Sequence, residues 1–207
     1  MLISAEVRWF WHNSCPRQVH DWFFKTGLSP GGGRPRIDRY LRQPKQAEIG
    51  IKERGDTPGL EVKGLVATRR SPALITGAIS FEIWCKWFCA ARDLKLTSKV
   101  AVKKTRWLRQ FDTSEPLRVE IPLDSNERPK FGHVMPVQGC NIELTEVRGL
   151  NRSDVWWTLG FEAFGDLDTV PISLTRVVLP ESSILAEIVA FGALLSYPGW
   201  LSARLSD

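Results

Sequence analysis

The sequence predicts an α+β fold: an antiparallel sheet large enough to curl or close, with a helix near each end. Three observations carry this expectation. Between residues 36 and 164, short segments rich in Val, Ile and Trp recur with turn residues between them. Several alternate polar and apolar side chains with the period of two that places alternate residues on one face of a strand. Apolar residues at helical spacing lie outside that region, at residues 16–26 and 181–196.

In chain order, Ile3–Phe10 reads as the first strand. A helix follows over Pro16–Thr26, with Ser14 as cap, Pro16 in the first turn, Val19, Trp22 and Phe23 sharing a face, and Gly27 closing it. Ser29–Pro35 (SPGGGRP) is too rich in Gly and Pro for regular structure and reads as a loop. Strands are then expected over Arg36–Leu41, Glu48–Arg54, Leu60–Ala67, Ala78–Phe88, Lys99–Phe111, Arg118–Leu123, Gly139–Val147 and Val155–Phe164. Gly55–Gly59 (GDTPG) supplies a hairpin connection, and Asp124–Gln138 reads as a surface excursion. Pro180 and Glu181 open a helix through Ser196, whose apolar stripe of Ile184, Leu185, Ile188, Val189 and Leu195 covers one end or side of the sheet.

Bulk properties set bounds. A chain of 207 residues is expected to form a single domain spanning 1–207, large enough to bury a substantial core. A formal charge of +5, from 28 Lys and Arg against 23 Asp and Glu, is too mild an excess to call for a nucleic-acid partner. The charges Glu6 and Arg8 fall where a leader peptide would need an apolar core, so an intracellular, cytoplasmic protein with four reduced cysteines is expected. Cys85 and Cys89 lack a second pair at zinc-finger spacing. The longest apolar stretch, around Ile184–Leu195, is broken by Glu187 and is too short to span a bilayer, so no membrane partner is expected.

Chemistry enters through the phase of the charges. Lys52 and Arg54 share a strand face, as do Glu61 and Lys63, then Ser4, Glu6 and Arg8, then Lys104 and Arg106. Repeated cationic faces with a few carboxylates among them suit phosphate together with a metal. Arg grips two phosphate oxygens in a fixed fork, and Lys acts as a movable point charge. Glu6, Glu143 and Glu162 are the metal candidates, each beside small or polar neighbours of its own phase. Register leaves Glu120 and Glu146 as alternatives. The nine dispersed tryptophans read as core and rim packing rather than as platforms for bases.

The order of these features resembles the CYTH superfamily of triphosphate tunnel metalloenzymes. The opening Glu-x-Glu-x-Lys strand of that family is matched by Ser4, Glu6 and Arg8 in SAEVR. RIDRYL with Asp38, IGIKERG with Lys52 and Arg54, LEVKG with Lys63 and Gly64, and KKTRW with Lys104 and Arg106 follow in family order. Next come two acid-bearing strands, GCNIELTEV and WWTLGFEAFG, and the C-terminal SYPGWL. The resemblance spans roughly the whole chain. It implies an eight-stranded antiparallel β-tunnel that binds a triphosphate-containing small molecule or polyphosphate through Arg8, Lys52, Arg54, Lys63, Lys104 and Arg106. Glu6, Glu143 and Glu162 would hold Mg2+ or Mn2+, and Glu6, Lys52, Arg54 and Arg106 would serve phosphoryl hydrolysis. Ser4 and Arg8 depart from the family pattern, and its closing Glu-x-Glu is reduced to Glu162 between Gly160 and Phe164. These departures raise the alternative of a non-catalytic anion-binding member of the same fold.

Overall fold

The computed structural model describes residues 1–207 except 56, 76, 91–95, 150, 190–191 and 206–207, and the side chains at 71–79, 151–153 and 188–189 are likewise outside the description. Its strands are β1 (Leu2–His12), β2 (Gly31–Leu41), β3 (Ile49–Arg54), β4 (Leu60–Ile75), β5 (Gly77–Cys89), β6 (Lys99–Asp112), β7 (Val119–Ile121), β8 (Gly139–Gly149), β9 (Asn151–Gly165) and β10 (Ala193–Leu194). The helices are α1 (Arg17–Lys25), α2 (Val170–Val178), α3 (Ser182–Val189) and α4 (Tyr197–Leu205). Hydrogen bonding runs in the order β1-β5-β4-β3-β2-β6-β8-β9, and β9 pairs back onto β1. The result is a closed, eight-stranded antiparallel barrel with helices around it.

The two faces of the barrel wall differ sharply. Ala5, Val7, Trp9 and Trp11 of β1 share one phase with Ile83 of β5, Ile142 and Leu144 of β8, and Leu159, Phe161 and Ala163 of β9. All are buried together with Val19 and Phe23 of α1, Val170, Leu174 and Val177 of α2, and Leu185 of α3. The main hydrophobic core therefore lies between the outside of the barrel and its helices. The opposite phase points into the lumen and is polar over most of its length. At one end Phe10, Tyr40, Val102 and Val147 continue that inner phase and pack against Trp200 and Leu201 of α4, which plugs the barrel.

Three local expectations are corrected, and one element was not anticipated. β2 begins at Gly31, inside the segment expected to be a loop. Gly32 and Gly33 take φ of +95° and +82° at a register shift, and a Cβ at Gly32 would lie 2.5 Å from the Arg106 carbonyl oxygen, so glycine lets the strand pair with β6 there. The segment expected as a strand over Arg118–Leu123 forms only the three-residue β7, which pairs with the end of β6 and stays outside the barrel. The long helix expected through Ser196 stops with α3. The chain then runs extended as β10 along β1 before α4 begins at Tyr197. Finally, α2 arises in a stretch rich in β-branched residues that favour strands, yet Val170, Ser173, Leu174, Val177 and Val178 keep helical spacing and are buried. Among the described residues no helix is long and apolar enough to cross a membrane.

Because the core lies outside the barrel, single positions on α2 should separate cleanly. Leu174→Ala, at a fully buried position, should cost about 3 kcal/mol in urea unfolding, whereas Ile172→Ala, half exposed on the same helix, should stay within about 0.5 kcal/mol.

Candidate functional site

Closing the barrel brings the charged phases of its eight strands into one lumen. The most constrained row crosses β1, β9 and β8, where Arg8 is paired with Gly160 and Gly160 with Glu143. The Arg8 guanidinium lies over Gly160 and donates to Glu143 Oε2 at 2.6 Å and to Thr158 Oγ1 at 2.7 Å. A Cβ at Gly160 would come within 2.4 Å of the Arg8 Cζ. Glycine at 160 is thus the partner of arginine at position 8.

The lumen charges form three chains of alternating sign. In the first, Glu6 accepts from Lys63 at 2.9 Å, and Lys86 bridges Glu6 at 2.8 Å and Glu162 at 2.5 Å. Ser4 also donates to Glu6 at 2.8 Å. In the second, Arg8 and Arg106 flank Glu143, each at 2.6 Å, and the Arg106 guanidinium also takes both carboxylate oxygens of Glu127, which reaches in from the Asp124–Gln138 excursion. In the third, Asp38 meets Arg36 at 3.0 Å, Lys104 at 3.6 Å and Lys52 at 4.0 Å, and Glu61 meets Lys52 at 3.1 Å and Arg54 at 3.5 Å. Lys104 donates to the Tyr40 hydroxyl at 2.5 Å and lies 3.3 Å from the Tyr197 ring centroid.

Electrostatics follow from this pairing. Burial opposes charge on Asp38, but Lys104, Lys52 and Arg36 prevail and hold its carboxyl at about 2. Burial likewise opposes charge on Glu6 and Glu143, and both are nonetheless lowered, the first by Lys63 and Lys86 and the second by Arg106 and Arg8. The lysines of the third chain go the other way. Desolvation drives Lys104 well below its ordinary range, and Lys52 is lowered by the same cause against the pull of Glu61 and Asp38.

All nine residues singled out in the sequence, Glu6, Arg8, Lys52, Arg54, Lys63, Lys104, Arg106, Glu143 and Glu162, belong to these chains. They do not form one cluster. Glu143 stands between two guanidinium groups, apart from the Glu6 and Glu162 pair. Glu120 and Glu146 are excluded as lumen acids, since Glu120 pairs with Arg109 and Glu146 with Arg148 on the outer phase. Sequence reasoning missed Lys86, Glu82, Glu127, Arg36 and Tyr40 as site residues. Glu82, Trp84 and Lys86 keep the period of two within FEIWCKW, a signal that their apolar neighbours hide.

Two cavities open beside the third chain. One of about 40 Å³ is lined by Tyr40, Lys52, Glu61, Lys63 and Tyr197, and another of about 390 Å³ lies beside Arg36, Arg39 and Arg54. The carboxylates expected to hold a divalent cation are spent on internal cations: Lys86 occupies the point between Glu6 and Glu162, and Glu143 is bound by two arginines. Among the described residues no three His, Cys, Asp or Glu side chains are grouped so as to hold a metal ion. As arranged, the donor set fits the ammonium it already contains rather than Mg2+ or Mn2+. Compared with known proteins, the chain matches no family model and no curated protein.

Acid should unfold the protein through these pairs. Below pH about 4.5 the unfolded chain binds protons that Glu6, Asp38, Glu61 and Glu143 refuse while folded, so stability present above that pH is lost as it falls toward 2. Melting temperature measured from pH 6 to 2 should fall continuously across that window. Gly160→Ala should lower the melting temperature at pH 7, because the added Cβ drives the Arg8 guanidinium off Glu143.

Proposed function

We propose that the protein binds a small phosphate-bearing anion, of the polyphosphate or nucleotide class, at the cationic side of its lumen. One observation carries this reading. The third chain sets Arg36, Lys52, Arg54 and Lys104 against only Asp38 and Glu61, and of the two cavities beside it one is lined by Lys52 and the other by Arg36 and Arg54. The first two chains balance internally, so the surplus positive charge is local. Arg54 is the most exposed of these cations and offers a fork to two phosphate oxygens. Lys52 and Lys104, poorly solvated and lowered, gain the most from an anion beside them. The resemblance to the triphosphate tunnel enzymes supports the same ligand class.

Metal-dependent hydrolysis is the second reading, favoured by the direct pairing of Glu6 with Glu162 across β1 and β9. These two carboxylates would be the ligands if Lys86 were displaced, and a divalent ion there would supply Lewis-acid polarisation of a phosphoryl oxygen. The arrangement of Lys86 favours the binding reading.

Calorimetry with sodium tripolyphosphate should give salt-sensitive binding that is unchanged by EDTA. Arg54→Gln should weaken it by about tenfold or more with little change in melting temperature, while Arg128→Gln on the excursion should do neither. Binding should also weaken as pH rises toward the ordinary lysine range, because the lowered lysines lose protons that the bound anion would retain. Absence of tripolyphosphate binding, or equal affinity for all three proteins, would defeat the proposal. Phosphate release that requires Mn2+ would move the assignment to the hydrolase.

A further inference from the structure

The barrel wall is not uniformly paired. β5 bonds to β1 only from Leu2 to Glu6, although β1 continues to His12. Beyond Glu6 the edge of β1 is taken by the returning C-terminal chain, where Leu195 N–H donates to the Arg8 carbonyl at 3.0 Å and Leu194 pairs with Trp9. Between the departure of β5 and the arrival of β10 lies a lateral cavity of about 170 Å³. Its polar lining is Glu6, Arg8, Thr68, Ser80, Glu82 and Ser196.

The charges around this cavity do not cancel. Glu6 is neutralised by Lys63 and Lys86, and Arg8 by Glu143. Glu82 is the carboxylate left over: among the described residues no cation lies within ion-pair distance of it. Its Oε2 accepts from the Trp84 indole Nε1–H at 2.9 Å, and the Ser196 hydroxyl also bonds to it. These are neutral donors, which leave the net charge in place. Burial holds the Glu82 carboxyl above its ordinary range and outweighs the pull of Lys63, whose ammonium is paired with Glu6 rather than with Glu82.

We propose that this lateral cavity binds a small primary ammonium group, with Glu82 as its counter-ion and the hydroxyls of Thr68, Ser80 and Ser196 as acceptors for its N–H groups. A primary ammonium has three donors and no acceptor, which suits one carboxylate surrounded by hydroxyl oxygens. An anion is disfavoured there because the Arg8 guanidinium is committed to Glu143 and Thr158, while Glu82 would repel it. A divalent cation would want more carboxylate than Glu82 alone offers, since Glu6 is held by two lysines. The site lies across the Lys63–Glu6 pair from the cavity of Lys52 and Tyr40, and it does not depend on the anion-binding proposal.

The Trp84 indole N–H, bonded to Glu82, serves as the reporter. The full chain labelled with 15N should show a saturable shift of that resonance, assigned with Trp84→Phe, on titration with ethylammonium chloride. Ethanol and sodium chloride at the same concentrations should not reproduce it. Glu82→Gln, whose amide oxygen can still accept from the Trp84 indole, should weaken ethylammonium binding by about tenfold or more. Thr68→Val supplies a second variant that keeps the carboxylate and should also weaken it. Equal responses to ethylammonium and ethanol would overturn the proposal, as would unchanged ethylammonium affinity in both variants. Tripolyphosphate titrated into the same sample reads the other cavity separately, so failure of one assignment is distinguishable from failure of the other.

Discussion

The ion pairs inside the barrel are the constraint on which the rest depends. Each charge moved from water into such an interior costs several kcal/mol unless a partner of opposite sign meets it there. Closing eight strands sends the charged phase inward, so the lumen is stable only if its cations and carboxylates interleave. The alternation of Lys63, Glu6, Lys86 and Glu162, and of Arg8, Glu143, Arg106 and Glu127, satisfies that demand. Where the interleaving leaves a surplus of one sign, the protein has a reason to accept a ligand of the other. The lumen has two such places, one cationic near Arg36 and Arg54 and one anionic at Glu82.

A polar interior moves the hydrophobic core elsewhere. Here the outer phase of β1, β5, β8 and β9 carries the burial, roofed by α1, α2 and α3, and this accounts for several of the tryptophans. Trp9 is fully buried in that outer core, and Trp107 stacks on Trp157 at 6.0 Å on the same outer phase. Trp200 belongs to the plug formed by α4 and stacks on Phe10 at 5.5 Å. Trp84 faces inward instead and lies under the Lys63 ammonium at 4.1 Å. None of these rings is arranged as a row of platforms for bases.

Strand phase was legible in the sequence because a period of two needs no knowledge of neighbours. It placed Glu6, Arg8, Lys52, Arg54, Lys63, Lys104 and Arg106 together, as the closed barrel does. Register was not legible, because it depends on which residues of distant strands face each other. For this reason Glu120 and Glu146 remained alternatives to Glu143 until their pairings separated one inward carboxylate from two outward ones. Glu127 was out of reach for another reason: it comes from a loop, and no periodicity announces where a loop side chain will end. The Gly160 partnership with Arg8 likewise joins two positions that only the closure of β1 onto β9 brings together.

That closure has a kinetic side. Ile3 pairs with Gly165 and His12 with Trp156, so the first strand finds its longest partner only after nearly the whole chain is available. Contacts of such sequence separation carry a large loop-closure cost before they return any stability, and they slow folding. Until β9 arrives, β1 is held only over Leu2–Glu6 by β5, with its remaining edge open to wrong strands. Arg8 and Glu143 meet only across the closure of β1 onto β9, so this buried ion pair cannot form before that seam does.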